Sequence, residues 1–391
     1  MQKKVCFALK LFMVWAVFNV MFYAVQGDFW GYGQLFIRVS LELIIFTLLI
    51  FNYQYFTRDL LSRMIMIWIV YSSVVTAYHS DYVAKDLSES LWWPLMYILF
   101  FLVGRYPKLL KTFIHKYVPV LIVLSFVMFF FTSRTKDGEL TATNFIFYIS
   151  LLMSFLFFYK GKKMLILFAL CAFVSMLSFK RSAFLILLCM GVLFVYYNYI
   201  KTKNSNGILK VIAGVLVALA FIGAFTYLDR SNGGFFSERI KSVSDDEGSG
   251  RVGIYEIVMW NYSKLDSSEK LFGIGFNGVM DRQWVAFSAE NVVSAHNDFL
   301  EMLCDFGIIG SVLYLIIIIC MLRNVVRSRH ISKSFFRANV ACTLIFFVMS
   351  AVSQLFLYPT YFAYIVAIWA ITQSILSYER KIKDIGSYSM L

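Results

Sequence analysis

The chain is built from a series of apolar segments of about 20 residues, the length that an α-helix needs to cross a bilayer. Its mean hydropathy is +0.72 and only 15% of its 391 residues are charged, far fewer than in a soluble domain. Most of the chain must therefore be solvated by lipid. The sequence predicts twelve membrane spans, near residues 5–25, 34–52, 59–77, 90–104, 115–132, 142–159, 164–179, 182–199, 209–228, 307–322, 338–356 and 360–377.

The distribution of Lys and Arg gives these spans an orientation. If the N-terminus is cytoplasmic, most basic residues fall in connections on the cytoplasmic side, as membrane insertion favours. The short connections on the other side hold few of them, namely Lys85, Arg134, Lys136, Lys180 and Arg181. We therefore expect an all-α polytopic membrane protein of about twelve transmembrane helices with both termini in the cytoplasm.

Because successive spans cross the membrane in opposite directions, the same orientation divides the chain into three parts. Residues 1–228 would carry spans 1–9, residues 229–306 would form one large extracytoplasmic loop, and residues 307–391 would carry spans 10–12 and a cytoplasmic tail. Within the loop, residues 254–262 and 299–303 have amphipathic patterns, which predict short helices on the membrane surface. We expect any chemistry to lie in this loop.

The distribution of charges and cysteines argues against a nucleic-acid-binding protein and against a disulfide-bonded scaffold. The net charge of +13 would suggest a nucleic-acid partner in a soluble protein, but the cations here lie in short runs between apolar segments, so no nucleic acid is expected. Five of the six cysteines fall in or beside apolar segments, so no disulfide framework is predicted. The basic, apolar N-terminus lacks a small-residue cleavage site and is interpreted as an uncleaved first span.

The strongest local motif surrounds His296, in the sequence Ser294 to Glu301 just before the tenth predicted span. Imidazole titrates near neutral pH and can remove a proton from a hydroxyl, as a general base must. The alternative is a surface histidine at a helix start, with Asn297 or Asp298 as the N-cap. Both interpretations remain open on these residues alone.

Two further segments place cations on the extracytoplasmic side. Lys180 and Arg181 form a turn between two spans, where membrane orientation disfavours cations. They would either bind an anion such as a diphosphate or snorkel toward lipid phosphate. Arg251 follows a flexible glycine segment at the start of a predicted helix, which suits an anion site, or else it is a solvated loop residue.

Several other patterns carry less weight. Residues 273–278 match the dinucleotide fingerprint GxGxxG, but the βαβ unit that the fingerprint requires is not expected in an external loop of a helical membrane protein. The acidic run 245–247 is typical of solvated chain, and no spacing of His, Cys and acids suggests zinc, so no metal and no cofactor are expected. Arg38 and Glu42 are four residues apart, which predicts an ion pair inside the second span.

These motifs resemble the O-antigen ligase and O-antigen polymerase family of bacterial envelope glycosyltransferases. The family pattern is a histidine, then Asn, Ser or Gln, then nine residues and Gly-x-x-Gly; His296, Asn297, the nine residues 298–306, Gly307 and Gly310 fit it without a gap. The likeness extends to residues 249–256 and 271–276, to Arg181 at an outer turn, and to the twelve-span layout. It is specific over about 249–322 and topological elsewhere.

The resemblance implies a metal-independent, inverting glycosyltransferase whose donor is a glycan linked to undecaprenyl diphosphate. It assigns catalytic roles to His296 as the base, and to Arg181 and Arg251 as cations that neutralise the departing diphosphate. Lys180, Asn297, Glu256 and Tyr255 are expected to contact substrate, and Trp260 or Trp284 to stack on sugar.

The acceptor separates the two activities. A polymerase would extend another lipid-linked repeat unit into O-antigen or a capsular polysaccharide, whereas a ligase would transfer glycan to lipid A core. Many ligases carry an acidic residue near the outer end of the eleventh span, whereas no Asp or Glu occurs here between Asp305 and Glu379, which favours the polymerase. A lipid-linked oligosaccharide flippase is a more distant alternative. The expected location is the bacterial inner membrane, with a chain-length regulator and a flippase as further candidate partners.

Overall fold

The computed structural model describes residues 1–25, 28–132, 144–178, 180–197, 223, 226–227, 230, 251–288 and 291–382. This part of the chain is almost entirely helical, as a chain in lipid must be to satisfy its backbone N–H and C=O groups within each segment. The helices are α1 Gln2–Val25, α2 Asp28–Ile50, α3 Tyr53–Phe56, α4 Leu60–His79, α5 Val83–Gly104, α6 Pro107–Thr112, α7 Val118–Thr132, α8 Phe147–Leu152, α9 Gly161–Leu177, α10 Arg181–Val195, α11 Arg251–Lys264, α12 Ser267–Phe272, α13 Gly278–Asp281, α14 Asp298–Arg327, α15 Lys333–Val352 and α16 Pro359–Ile382.

Short irregular elements complete the chain. A π-helical turn, Phe113–Tyr117, joins α6 to α7, and 3₁₀ turns Asn144–Ile146 and Met153–Phe158 flank α8. A third 3₁₀ turn, Ser328–His330, follows α14. Two short antiparallel strands, β1 Ala286–Ser288 and β2 Asn291–Val292, form a small hairpin before α14.

Within the described residues, eight helices are long and apolar enough to cross a membrane. They fall at the predicted spans 1–5 and 10–12, and shorter helices occupy the predicted spans 142–159, 164–179 and 182–199. The predicted span 209–228 lies almost wholly outside the described residues, so the count of twelve stays a prediction. The chain is a helical membrane protein.

The helices differ in what surrounds them. The central pair, α5 and α16, pack along each other and are largely buried within the protein. On α2, by contrast, Phe36 is 74% and Leu43 is 65% exposed, as expected for a face that contacts lipid. The predicted ion pair on α2 is confirmed, since Arg38 Nε lies 3.1 Å from Glu42 Oε1.

The loop that the sequence predicts to be extracytoplasmic, which we call the outer loop, has its own small apolar core in its described part. Buried side chains from α11, from the turn before α13 and from the start of α14 pack together, namely Ile254, Val258, Ile274, Val279, Val285, Ala295 and Cys304. Helix α11 covers residues 254–262, where a short helix on the membrane surface was predicted; its position at the membrane surface stays a prediction. The predicted helix 299–303 lies in the first part of α14, where Glu301 and Met302 are buried in protein and Phe299 is exposed.

Candidate active site

His296 lies in a short loop between β2 and α14 that is fixed on both sides. Before it, the Ser294 hydroxyl hydrogen-bonds the side-chain oxygen of Gln354, and Ala295 N donates to Glu301 Oε2 at 2.7 Å. After it, Asn297 is the N-cap of α14 and its side chain accepts from two backbone N–H groups. The loop around His296 is therefore anchored to the helix that follows it.

His296 also has an unusual backbone conformation, with φ of 52°. This left-handed region costs most side chains about 1–2 kcal/mol, although His, Asn and Asp enter it more readily than others. Such strain persists only where the surrounding contacts impose it, and it is common at active sites. Here the bonds on both sides of His296 impose it.

The imidazole of His296 is half-buried and close to two cations. Burial, followed by the charges of Arg251 and Lys180, lowers the pKa of His296 below its ordinary value. Arg251 is the first residue of α11 and Lys180 immediately precedes α10, so three separate segments converge on this histidine. The neutral form, which can accept a proton, is thereby favoured.

Lys180 and Arg181 lie at the predicted turn, between the end of α9 and the start of α10. Lys180 N donates to Ser178 Oγ at 3.3 Å, and Lys180 Nζ lies 5.8 Å from the ring centroid of Phe147. Arg181 is half-buried in the first turn of α10. The charge of Lys180 acts on His296.

Three buried carboxylates on one face of α14, Asp298, Glu301 and Asp305, hold the site together. Each is at most 1% exposed. Asp298 Oδ1 accepts from Leu355 N at 2.7 Å and Phe356 N at 2.9 Å, while Ser350 Oγ donates to Oδ2 at 2.6 Å. The side chain of Asp298 therefore ties the helix carrying the His296 loop to the link between α15 and α16.

Asp305 makes the corresponding connection to the outer loop. Its carboxylate accepts from Asn277 N at 2.9 Å and from Gly278 N at 3.0 Å. Sequence reasoning missed these roles, although the spacing i, i+3, i+7 of the three acids already puts them on one helix face. Their partners, distant in sequence, could not be read from that spacing.

Glycines bring the outer loop into backbone contact with α14. Helix α14 is kinked at Gly307, which has φ of 63°, and a Cβ there would lie 2.5 Å from Leu271 O. Gly273, with φ of 93°, faces the same kink, and a Cβ there would lie 2.3 Å from Asp305 O. Gly273, the first glycine of the GxGxxG stretch, thus serves close packing against α14, whereas a Cβ on Gly275 would meet His79 instead.

The outer loop also carries an open groove of about 620 Å³. It is lined by Glu256, Ile257, Trp260, Asn261, Arg282, Gln283 and Trp284. Trp260 is 60% exposed, and Arg282 is held by an ion pair with Glu269 at 2.7 Å. Aromatic rings beside amide and charged side chains form a surface suited to a sugar, which offers both apolar faces and hydroxyl groups.

The structure separates the predicted residues of α11. Glu256 is exposed in the groove, whereas Tyr255 packs against the small core of the outer loop. Five residues at about 100° each put Glu256 roughly 140° around the helix from Arg251. Glu256 therefore faces away from the cations near His296. Over the described residues, no group of three or more His, Cys, Asp or Glu side chains is arranged to hold a metal ion.

Comparison with known proteins adds an independent finding. Residues 166–315 match a family model described as O-antigen ligase. A search of curated proteins gave no match. The matched region includes the turn at Lys180 and Arg181, the start of α11 and the His296 loop. The resemblance to the O-antigen ligase and polymerase family is thus confirmed over residues 166–315.

Proposed function

We propose that this protein is an inverting, metal-independent glycosyltransferase that polymerises repeat units linked to undecaprenyl diphosphate into O-antigen or a capsular polysaccharide. The observation that carries the proposal is the arrangement around His296, a half-buried histidine in a strained loop with Arg251 and Lys180 acting on it. A base beside fixed cations is what transfer from a diphosphate-linked donor requires.

In the proposed reaction, His296 takes the proton of an acceptor hydroxyl as its oxygen attacks the anomeric carbon of the donor. The new C–O bond forms as the bond from that carbon to the diphosphate oxygen breaks, and attack from the opposite face inverts the configuration. The diphosphate leaves with the bonding electrons, and Arg251, Lys180 and Arg181 neutralise its charge. Asn297 holds the histidine loop to α14.

The same cations couple the base to the donor. In the free enzyme the positive charges of Arg251 and Lys180 disfavour protonation of His296. A bound diphosphate offsets these charges, so the imidazole becomes a stronger base only when donor is present. This coupling would favour proton removal in the complete complex over unproductive protonation beforehand.

The groove on the far face of α11 is proposed to hold sugars of the substrate beyond the reacting unit. Trp260 and Trp284 offer ring surfaces, and Glu256, Asn261 and Gln283 offer hydrogen-bonding groups. Lys264 Nζ lies 2.8 Å from the ring centroid of Trp260 and covers one face, which leaves the other face for a sugar. Tyr255 supports this surface from the core side.

The acceptor decides between the polymerase and its closest alternative. The description of the matched family favours an O-antigen ligase, which transfers glycan to lipid A core. The absence of Asp and Glu between Asp305 and Glu379 favours the polymerase, and the outer end of α15 is followed by the neutral Gln354, which contacts Ser294. We retain the polymerase as the proposal.

Deletion of the gene, followed by gel analysis of the surface glycan, tests this proposal. A polymerase deletion should leave lipid A core that bears a single repeat unit. Loss of all attached glycan, with polymer accumulating on undecaprenyl diphosphate, would establish the ligase instead. Accumulation of single repeat units on the cytoplasmic leaflet would point to a flippase.

The proposal places the enzyme in the bacterial inner membrane with both termini in the cytoplasm and the His296 site on the outer face. Its partners would be the lipid-linked donor, a lipid-linked glycan acceptor, a chain-length regulator and a flippase. Cysteine labelling of single-cysteine variants at the start of α1 and in the β1–β2 hairpin tests this orientation. Equal access of an impermeant reagent to both positions in intact cells would contradict it.

A further inference from the structure

A second polar site lies at the end of the helix bundle opposite His296. There the start of α4 and the last turns of α14 and α16 surround a cavity of about 450 Å³. This end of the bundle carries no residue of the proposed glycosyl transfer. Its composition therefore needs a separate explanation.

The cavity is strongly basic. Arg58, Arg63, Arg323 and Arg327 line it, against Asp59 as the one acidic residue among the described lining residues. Asp59 has a structural role, because it is the N-cap of α4 and its carboxylate accepts a hydrogen bond from Ser62 N at 2.9 Å. The lining therefore carries a net positive charge around a space large enough for an organic anion.

The floor of the cavity is a preorganised chain of buried amides. Asn324 and Gln373 are each 4% exposed, and Asn324 Nδ2 donates to Gln373 Oε1 at 2.5 Å. Gln373 Nε2 in turn donates to Ser377 Oγ at 2.7 Å, and Ser377 Oγ donates to Asp59 Oδ2 at 3.4 Å. Burying amides is unfavourable unless they are hydrogen-bonded, so this chain fixes the polar floor.

Membrane orientation alone does not account for this arrangement. The preference for cations at cytoplasmic helix ends explains arginines near a surface, but it requires neither a cavity between three helices nor a buried polar floor. Leu60, Leu61 and Leu376 also line the cavity, so part of its lining is apolar. Leu322 and Val326 on α14 are 39% and 58% exposed nearby, which indicates a lipid-facing surface at this level.

We propose that this cavity binds the phosphate of an anionic phospholipid, with the arginines on the headgroup and the leucines beside the glycerol and acyl chains. Basic pockets between transmembrane helices on the cytoplasmic side take anionic headgroups in this manner. Guanidinium groups grip phosphate bidentately and keep their charge at any cellular pH. This proposal does not depend on the proposed glycosyl transfer, and either can be wrong without the other.

Lipid binding by the purified full-length protein tests this assignment. The protein in neutral detergent is titrated with phosphatidylglycerol, cardiolipin or phosphatidylcholine, and bound lipid is counted by native mass spectrometry. The anionic lipids should bind saturably and phosphatidylcholine should not. In a double variant, Arg63→Gln with Arg323→Gln, the affinity for anionic lipid should fall by about tenfold or more, because two charge-assisted contacts are lost.

The matched control removes two cations at the same end of the bundle but outside the cavity lining, by Arg329→Gln with Lys333→Gln. Its lipid affinity should stay within about twofold of the parent, since diffuse surface charge contributes little to a specific site. An equal loss in both double variants would overturn the proposal. So would the absence of saturable lipid binding, or saturable binding of inorganic diphosphate with no preference for the lipids, which would assign the cavity to a soluble phosphate compound.

Discussion

The two ends of α14 carry charge in opposite ways. At its start, three acidic side chains are buried and accept hydrogen bonds mostly from the backbone of distant segments, so they fix the geometry of the site. At its end, arginines surround a cavity over a floor whose amides bond one another, so their charge faces the cavity. Both arrangements suit the helix dipole, with acids at the N-terminus and cations at the C-terminus. Buried acids that accept hydrogen bonds from the protein organise a site, whereas cations around a cavity can bind a ligand.

The largest effect on activity is expected from replacing His296, the proposed base at the start of α14. His296→Asn keeps a residue that tolerates positive φ but removes the group that accepts the proton, so transfer should fall by about 10²- to 10⁴-fold with the thermal midpoint nearly unchanged. The measurement is glycan chain formation by membranes that contain the variant. His330→Asn is the control, since His330 is exposed at the other end of α14. Normal glycan chains from the His296 variant would contradict the proposed role of His296 as the base.

The next effect concerns the kink that joins the outer loop to α14. Gly307→Ala forces a Cβ to within 2.5 Å of Leu271 O at a φ of 63°. The strain and the backbone clash together should destabilise the folded protein by about 3 kcal/mol or more. The measurement is unfolding of the solubilised protein with rising denaturing detergent. Gly191→Ala is the control, because a Cβ on Gly191 in α10 meets no atom within 4 Å. Equal stability of the two variants would contradict the close approach.

A smaller effect distinguishes geometry from charge at Asp298. Asp298→Ala leaves the donors of Ser350, Leu355 and Phe356 without their acceptor and should destabilise the protein by about 2–3 kcal/mol. In Asp298→Asn the amide oxygen keeps both backbone N–H groups, and its NH₂ can donate to Ser350 Oγ, so most of that stability should return. The same unfolding assay compares the two variants. Equal losses would show that the negative charge itself is needed.

The smallest effect is on pH dependence. Because the pKa of His296 in the free enzyme lies below its ordinary value, the neutral base should persist as pH falls, and the acid limb of kcat/KM for transfer should lie below about pH 6.5. For the same reason, protonation of His296 destabilises the folded state only below that pH, where the unfolded state binds more protons. Arg251→Gln should move the acid limb upward, and Lys180→Gln should move it upward by less. The residual activity of each variant, measured as a function of pH, tests this order. An acid limb at the same pH as in the parent would show that neither cation acts on His296.

The sequence predicted those features that depend on neighbours along the chain. The ion pair of Arg38 with Glu42, the turn at Lys180 and the cap at Asn297 follow from helix spacing and from capping chemistry. Helical periodicity also separates Glu256 from Arg251, although the sequence prediction grouped them as one site. The spans near the N-terminus and the C-terminus could be located from hydropathy alone.

The rest depends on pairings between segments that sequence spacing does not reveal. Nothing local pairs Asp298 with Leu355 and Phe356, or Gly273 with the kink at Gly307. The stretch 273–278 matched the dinucleotide fingerprint in form because both the fingerprint and the close approach of Gly273 to α14 need a backbone without a Cβ. Likewise, the arginines that line the cavity opposite His296 come from α4, from α14 and from the turn before α4. In the sequence they indicated only the orientation of the spans.

The kink in α14 has a consequence for how the protein is made. It diverts carbonyls of this helix to other partners, since Cys304 O and Asp305 O accept from Ile274 N and Gly275 N, and Phe306 O accepts from the Tyr71 hydroxyl. The loop residues that dock on this edge leave the ribosome before α14 itself does. The outer loop must therefore remain undocked until α14 has been synthesised, and its final folding step is coupled to the integration of a later helix.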